Sequence, residues 1–188
     1  GGFQYAKLRI LYKSQLYSGA ALSYWDLWNW TNQDGTKVFT WKPAHTFDTP
    51  GIEYLLNTRS GGSNYVTLWA LTNPLGSPPT LTRQATVSVS SYSVPPDAQQ
   101  LGGPDLIATN DCRTQDVQYR NGYVYAVFPV GYNWGSGTVS AIRYLKINTS
   151  TNNATSDLTY GSDGFYYYFP AVYTTSDERV VMVFNRSS

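Results

Sequence analysis

The stretch that most constrains this chain is residues 116–147, DVQYRNGYVYAVFPVGYNWGSGTVSAIRYLKI. Residues 117–119 and 123–128 are short runs rich in β-branched and aromatic side chains, and Asn121 and Gly122 stand between them. An Asn-Gly pair accepts positive φ at both central positions of a tight turn, so the stretch predicts a two-residue hairpin. A Gly- and aromatic-rich segment, residues 130–137, reads as a wide loop. Residues 140–147 form a third β-type run, stopped by the polar residues 148–153, and a fourth strand is expected over 154–160. Four antiparallel strands in a meander are the plan of one blade of a β-propeller.

The same plan recurs upstream, in residues 44–88. Residues 44–46 read as a first strand, 48–51 as a Pro- and Gly-bearing turn, 52–57 as the second strand and 58–64 as the wide loop. Residues 65–71 and 80–88 supply the third and fourth strands, joined by a turn over 73–79. Gly51 stands against Gly122 at a spacing of 71 residues, and Trp69 against Tyr144 at 75, a drift that unequal loops explain. A third copy begins with 169–173 and 179–185, then the chain ends, while residues 6–12 and 16–28 near the N-terminus resemble a third and fourth strand joined by a turn at 13–15. The expected architecture is therefore all-β: two whole four-stranded antiparallel blades (44–88 and 116–160) and one blade split between residues 1–30 and 166–188. Propellers typically have roughly 4 to 8 blades, so about three per chain implies remaining blades of a longer chain, or a second copy exchanging strands at the seams, as a ring or a filament.

Composition agrees with the class. Charged residues are only 13% of the chain, while Tyr (17), Gly (16) and Trp (6) are abundant, and Glu occurs only at Glu53 and Glu178. Helix should be scarce. A net charge of +1 offers no field for nucleic acid, and no apolar run is long enough for membrane insertion. The N-terminus lacks a signal-peptide layout, so either a leader was removed or the chain is a piece of something longer. Cys112 is the single cysteine and cannot form a disulfide within the chain. Sequons at Asn29, Asn148, Asn153 and Asn185, with a surface rich in Ser, Thr, Asn and Tyr, favour a secreted or surface-displayed glycoprotein.

The succession YSVPPDAQQLGG (residues 92–103), ATNDCRTQDVQYRNGYVYAVF (108–128), AIRYLKINTST (141–151) and YYYFPAVYTTSDERVVMVFNRSS (166–188) resembles secreted bacterial β-propeller modules distantly related to the sialidase-like, Asp-box superfamily. The resemblance implies a propeller fold. It departs from the Asp-box pattern at residues 175–182, where Asp177 is present but Arg179 replaces the Gly and Met182 the Trp. A sialidase-like hydrolase would also need an arginine triad, a nucleophilic Tyr and two acids, and the sequence selects no such set.

No catalytic constellation, cofactor or metal site is expected. His45 is the single histidine, on a predicted innermost strand, and reads as a hydrogen-bonded structural residue. Asp105, Asp111, Asp116 and Asp163 could serve glycoside hydrolysis, but their spacing picks out no pair. Asp111 and Arg113, two positions apart, would share a side of an extended segment, either holding an anionic or hydroxylated ligand or forming an ion pair that braces neighbouring blades. Trp25, Trp28 and Trp30 are expected in the core; exposed, they would instead make a platform for sugar rings or a partner protein, as a carbohydrate-binding module requires. Tyr132 and Trp134 in one wide loop, and Arg59 in the other, are expected on one face with Asp111 and Arg113, as the binding surface for a glycan or protein partner.

Overall fold

The computed structural model describes residues 2–49, 51–76 and 78–188. The parts of the expected turns that fall on Pro50 and Ser77 lie outside the described residues. The protein is all-β, with 54% of residues in strands and 3% in helix.

Two sheets form the centre. The first has the order β3 (Lys42–Pro43), β5 (Ile52–Thr58), β6 (Ser63–Thr72), β7 (Thr80–Tyr92), all antiparallel. The second runs β4 (His45–Thr46), β8 (Asp116–Arg120), β9 (Tyr123–Asn133), β10 (Thr138–Asn148), β11 (Asn153–Tyr160). Asn121 and Gly122 take φ of 51° and 81°, and Arg120 pairs with Tyr123 across them, so the Asn-Gly hairpin forms as its residues dictate.

Both central sheets are buried on both faces along their middle strands. Along β6, Val66, Leu68 and Ala70 point to a core shared with the second sheet, and Trp69 and Leu71 point to the opposite side. Along β9, Val124, Ala126, Phe128 and Val130 face the shared core and Val127 faces away from it. This two-sided burial explains the unbroken apolar run at 123–130, since alternation is needed only where one face meets water. Pro129 is tolerated there because β8 pairs with β9 no further than Val127, which leaves that edge of β9 without a ladder to interrupt.

Each outer face has a cover of its own. At the N-terminal end β1 (Lys7–Leu11) and β2 (Tyr24–Trp28), joined through a short helix α1 (Lys13–Ser18), form a two-stranded sheet. Its Leu8, Ile10 and Leu27 pack with Trp30, Val38 and Trp41 against Leu55, Trp69, Leu71 and Leu81 of the first sheet. At the C-terminal end β12 (Tyr166–Thr174) and β13 (Val180–Ser187) form another two-stranded sheet, whose Tyr167, Val172, Met182 and Phe184 pack on Val127 and Ile142 of the second.

The layers are tied by buried polar groups. Asn57 donates to the Asn32 carbonyl oxygen (3.0 Å) and accepts from the Trp69 indole (2.6 Å), and the Thr67 hydroxyl reaches the same Asn32 oxygen (3.1 Å). This network pins residues 31–38 onto the first sheet. Arg143 of β10, its side chain 2% exposed, pairs with Asp157 at 2.6 Å and donates to the carbonyls of Ser90 and Ser91 at the end of β7.

Several expectations need correction. The strand expected at 44–46 is divided: Lys42–Pro43 pairs with β5, and His45–Thr46 crosses to run parallel to β8, because Ala44 between them turns into the shared core. His45 is exposed and stacks on Phe47 (4.5 Å, 27°). Neither wide loop is wide. Strand pairing continues to Asn133↔Thr138, leaving residues 134–137, and the counterpart is reduced to 59–62. Glycines at 131, 135 and 137 mimic a loop signal, whereas Gly131 is a strand residue whose missing side chain admits Val94 and Ser93. The turn expected at 13–15 is the helix α1, too short for a helical period to show. Among the described residues the split blade does not form: β1–β2 and β12–β13 pair only internally and cover opposite ends of the stack.

Replacing Asn57 with Leu should lower unfolding stability by about 2–3 kcal/mol, because it leaves the Trp69 indole buried without an acceptor and takes from the Asn32 oxygen one of its two donors, Thr67 remaining. Urea unfolding checks this, with a reduced midpoint and an unchanged slope.

Candidate functional site

The turn after β5 gathers three of the predicted site residues. Gly62 has φ of 100°, and a Cβ there would lie 2.3 Å from the Tyr92 carbonyl oxygen, so glycine alone lets the turn press onto the end of β7. The Tyr92 hydroxyl accepts from the Arg59 amide (2.9 Å) and donates to the Tyr65 carbonyl (2.9 Å), and burial pushes its pKa upward. The Arg59 side chain extends to Asp34 at 2.9 Å. The Cys112 thiol meets the Arg59 carbonyl at 3.5 Å, which places the Asp111–Arg113 connection beside the same turn.

Asp111 and Arg113 form a local two-point clasp, Nε to Oδ1 at 2.7 Å and Nη2 to Oδ2 at 2.6 Å. Burial raises the Asp111 carboxyl, but the Arg113 bonds outweigh it and the net shift is downward. The pair does not bridge two blades, as a brace would. Within its own loop it holds the guanidinium 4.9 Å over Phe39. Beyond Phe39 lies a shallow cleft of about 260 Å³ lined by Phe3, Thr36, Lys37, Phe39, Arg59 and Ser60. Its cations are already engaged, Arg59 by Asp34 and Lys37 by the Gln4 carbonyl at 2.7 Å. Phe3 and Phe39 meet edge to face in its wall at 5.3 Å.

Tyr132 and Trp134 belong to the same end of the sheets but not to the cleft. Gly131 donates to the Ser93 carbonyl at 3.0 Å, directly after the Tyr92 that braces the Arg59 turn. The two rings are 4.5 Å apart and tilted by 53°, half-exposed, and Trp134 packs over Gly161. They make a bent aromatic corner; a flat platform would need the rings coplanar. The three N-terminal tryptophans separate. Trp30 packs edge-on against Trp69 (5.6 Å), Trp25 is half-buried, and Trp28 is 52% exposed.

The remaining candidates serve the backbone or stand in solvent. Asp116 accepts the Val172 amide (3.0 Å), and Asp163 holds Ser136. Asn148 caps its own turn through the amides of Ser150 and Thr151, while Asn29, Asn153 and Asn185 are exposed. Among the described residues no group of three or more His, Cys, Asp or Glu lies close enough to hold a metal ion, and no helix is long and apolar enough to cross a membrane.

A second feature escaped the sequence reading. Beside the C-terminal hairpin a groove of about 490 Å³ is lined by Tyr144, Leu158, Thr159, Tyr160, Val180 and Met182. Leu158 is 61% exposed and Val183 62%. Its signal was the run VVMVF at 180–184, apolar at every position, which promises two covered faces where only Met182 and Phe184 have one. No protein-family model matches this sequence, and neither curated proteins nor solved structures gave a match.

Asp34 offers a test of the cleft. Burial raises its carboxyl, but the hydrogen bonds from the Thr36 amide and hydroxyl and from Arg59 prevail and lower it from 3.8 to about 2. A lowered folded-state pKa contributes stability that is fully present above the unfolded value and lost as pH falls from about 4 to about 2. The melting-temperature gap between wild type and Asp34→Asn should therefore be constant above pH 5 and close as pH approaches 2. A gap that does not narrow would show that Asp34 is not held in this way.

Proposed function

We propose that this chain is a β-propeller-type module, with whole four-stranded blades at its centre and half-blades at its ends, that acts without catalysis in binding or self-assembly at or outside the cell surface. The observation that carries the reading is the pair of two-stranded sheets, β1–β2 and β12–β13, each covering an outer face of a layered stack while its own outer edge is open. Face-to-face layers of antiparallel meanders, laid down in chain order, are the arrangement a propeller repeats. β12 also follows β8 as the next inner strand would, since Asp116 and Gln118 of β8 bond its Val172 and Thr174 backbone groups. The resemblance to secreted, distantly sialidase-like modules favours the same fold.

An open edge is a template for pairing, so the reading makes assembly the first function to pursue. The cleft at Phe39 and Arg59 and the corner at Tyr132 and Trp134 would then be exposed on each assembled copy, available to a glycan or protein.

The native particle mass, measured by light scattering with electron micrographs of the same sample, tests this. A particle of two copies closing a six-bladed ring, or a filament, is expected. A 21 kDa species at every concentration would overturn self-assembly.

A further inference from the structure

The two ends of the stack are incomplete in complementary ways. The C-terminal hairpin lies over the inner part of the second sheet: β12 packs against β8, β9 and β10. The outer part is only partly covered: Tyr144 of β10 is half-buried, Tyr160 of β11 meets Tyr167 and Phe184 of the hairpin but stays 48% exposed, and Leu158 is 61% exposed, which leaves the apolar groove beside Val180 and Met182. That layer therefore has its inner strands and lacks its outer ones.

The N-terminal end shows the converse. Residues 31–38 hold the inner strands of the first sheet through Asn32, Asn57 and Thr67. The β1–β2 hairpin is tied toward the outer strands, where the Tyr12 hydroxyl donates to the Leu75 carbonyl in the β6–β7 turn. That layer has its outer strands and lacks its inner ones.

Resting on the propeller-type reading, we infer that the groove between β11 and β13 is the seat of the β1–β2 hairpin of a second copy, which adds to the free edge of β13 as two further strands. The faces match. On one side of the completed sheet, Tyr173, Val181 and Val183 continue into Leu8, Ile10 and Leu27, which already pack on the second copy's first sheet. On the other side, Tyr24 and Trp28, each 52% exposed, would meet Leu158 and Tyr160. On this side the hairpin also carries Lys7 and Arg9, which share the carboxylate of Asp26 at 3.1 and 2.8 Å, so each keeps a partner on seating while the group retains a net charge of +1 that must stay in reach of water. Strand addition supplies backbone hydrogen bonds and the groove supplies register.

The test uses the full chain. Leu158→Glu changes a side chain largely in solvent, so melting of the single chain should be unaffected while self-association weakens at least tenfold. A mixture of Tyr24→Cys and Leu158→Cys proteins, treated with a short bis-maleimide, should give a mixed cross-linked dimer in excess of either homodimer; the native Cys112 is buried and does not compete. A particle that assembles as tightly with Leu158→Glu, or that links copies elsewhere, overturns this docking and leaves the propeller-type reading standing. A wild-type chain that never assembles sinks both.

Discussion

A sheet that is apolar on both faces cannot be stable as one half of a simple sandwich, and this requirement governs the whole molecule. Trp69 and Leu71 on one side of β6, with Val66, Leu68 and Ala70 on the other, oblige the first sheet to find two covers; Val127 and Ile142 make the same demand of the second. The two central sheets satisfy each other on one face only. The two hairpins and residues 31–41 are held in the fold because the remaining faces must leave water.

Stacking sheets in this way also requires the layers to be aligned, and apolar contact is poor at alignment because it has no direction. The polar groups supply it. Arg143 reaches from β10 across to the end of β7, and the Asn32, Asn57, Trp69 cluster fixes where residues 31–38 lie on the first sheet. Both are buried, where a misplaced layer would strand a charge or an amide without a partner. The result is a stack whose order is set by hydrophobic demand and whose register is set by a few hydrogen bonds.

Much of this was legible in the residues. The Asn121–Gly122 turn, the strands on either side of it and the all-β class follow from local backbone preference and β-type composition, which act over a few residues and leave a clear trace. Less legible were features decided by contacts distant in sequence. Nothing near His45 announces that it will leave the first sheet for β8. Gly131 reads as a loop residue until the approach of Ser93 and Val94 is known. Arg59 and the Asp111–Arg113 connection meet at Cys112, but the role of Arg113 depends on Phe39, some seventy positions away, which no local pattern connects to it. The groove was missed for a different reason: an all-apolar run states that two faces want covering, not whether both are covered.

The crossing at Ala44 has a kinetic meaning. The chain lays two residues beside β5, then commits the next two to β8, about seventy residues further on, before β5 itself has been made. The second sheet can thus be completed only with a strand that lies between β3 and β5 of the first in sequence, so it is never an isolated unit during synthesis or refolding. The two should appear and disappear together, in a single slow, cooperative step set by the long loop that must close, and a partly melted form with one sheet intact should be hard to populate.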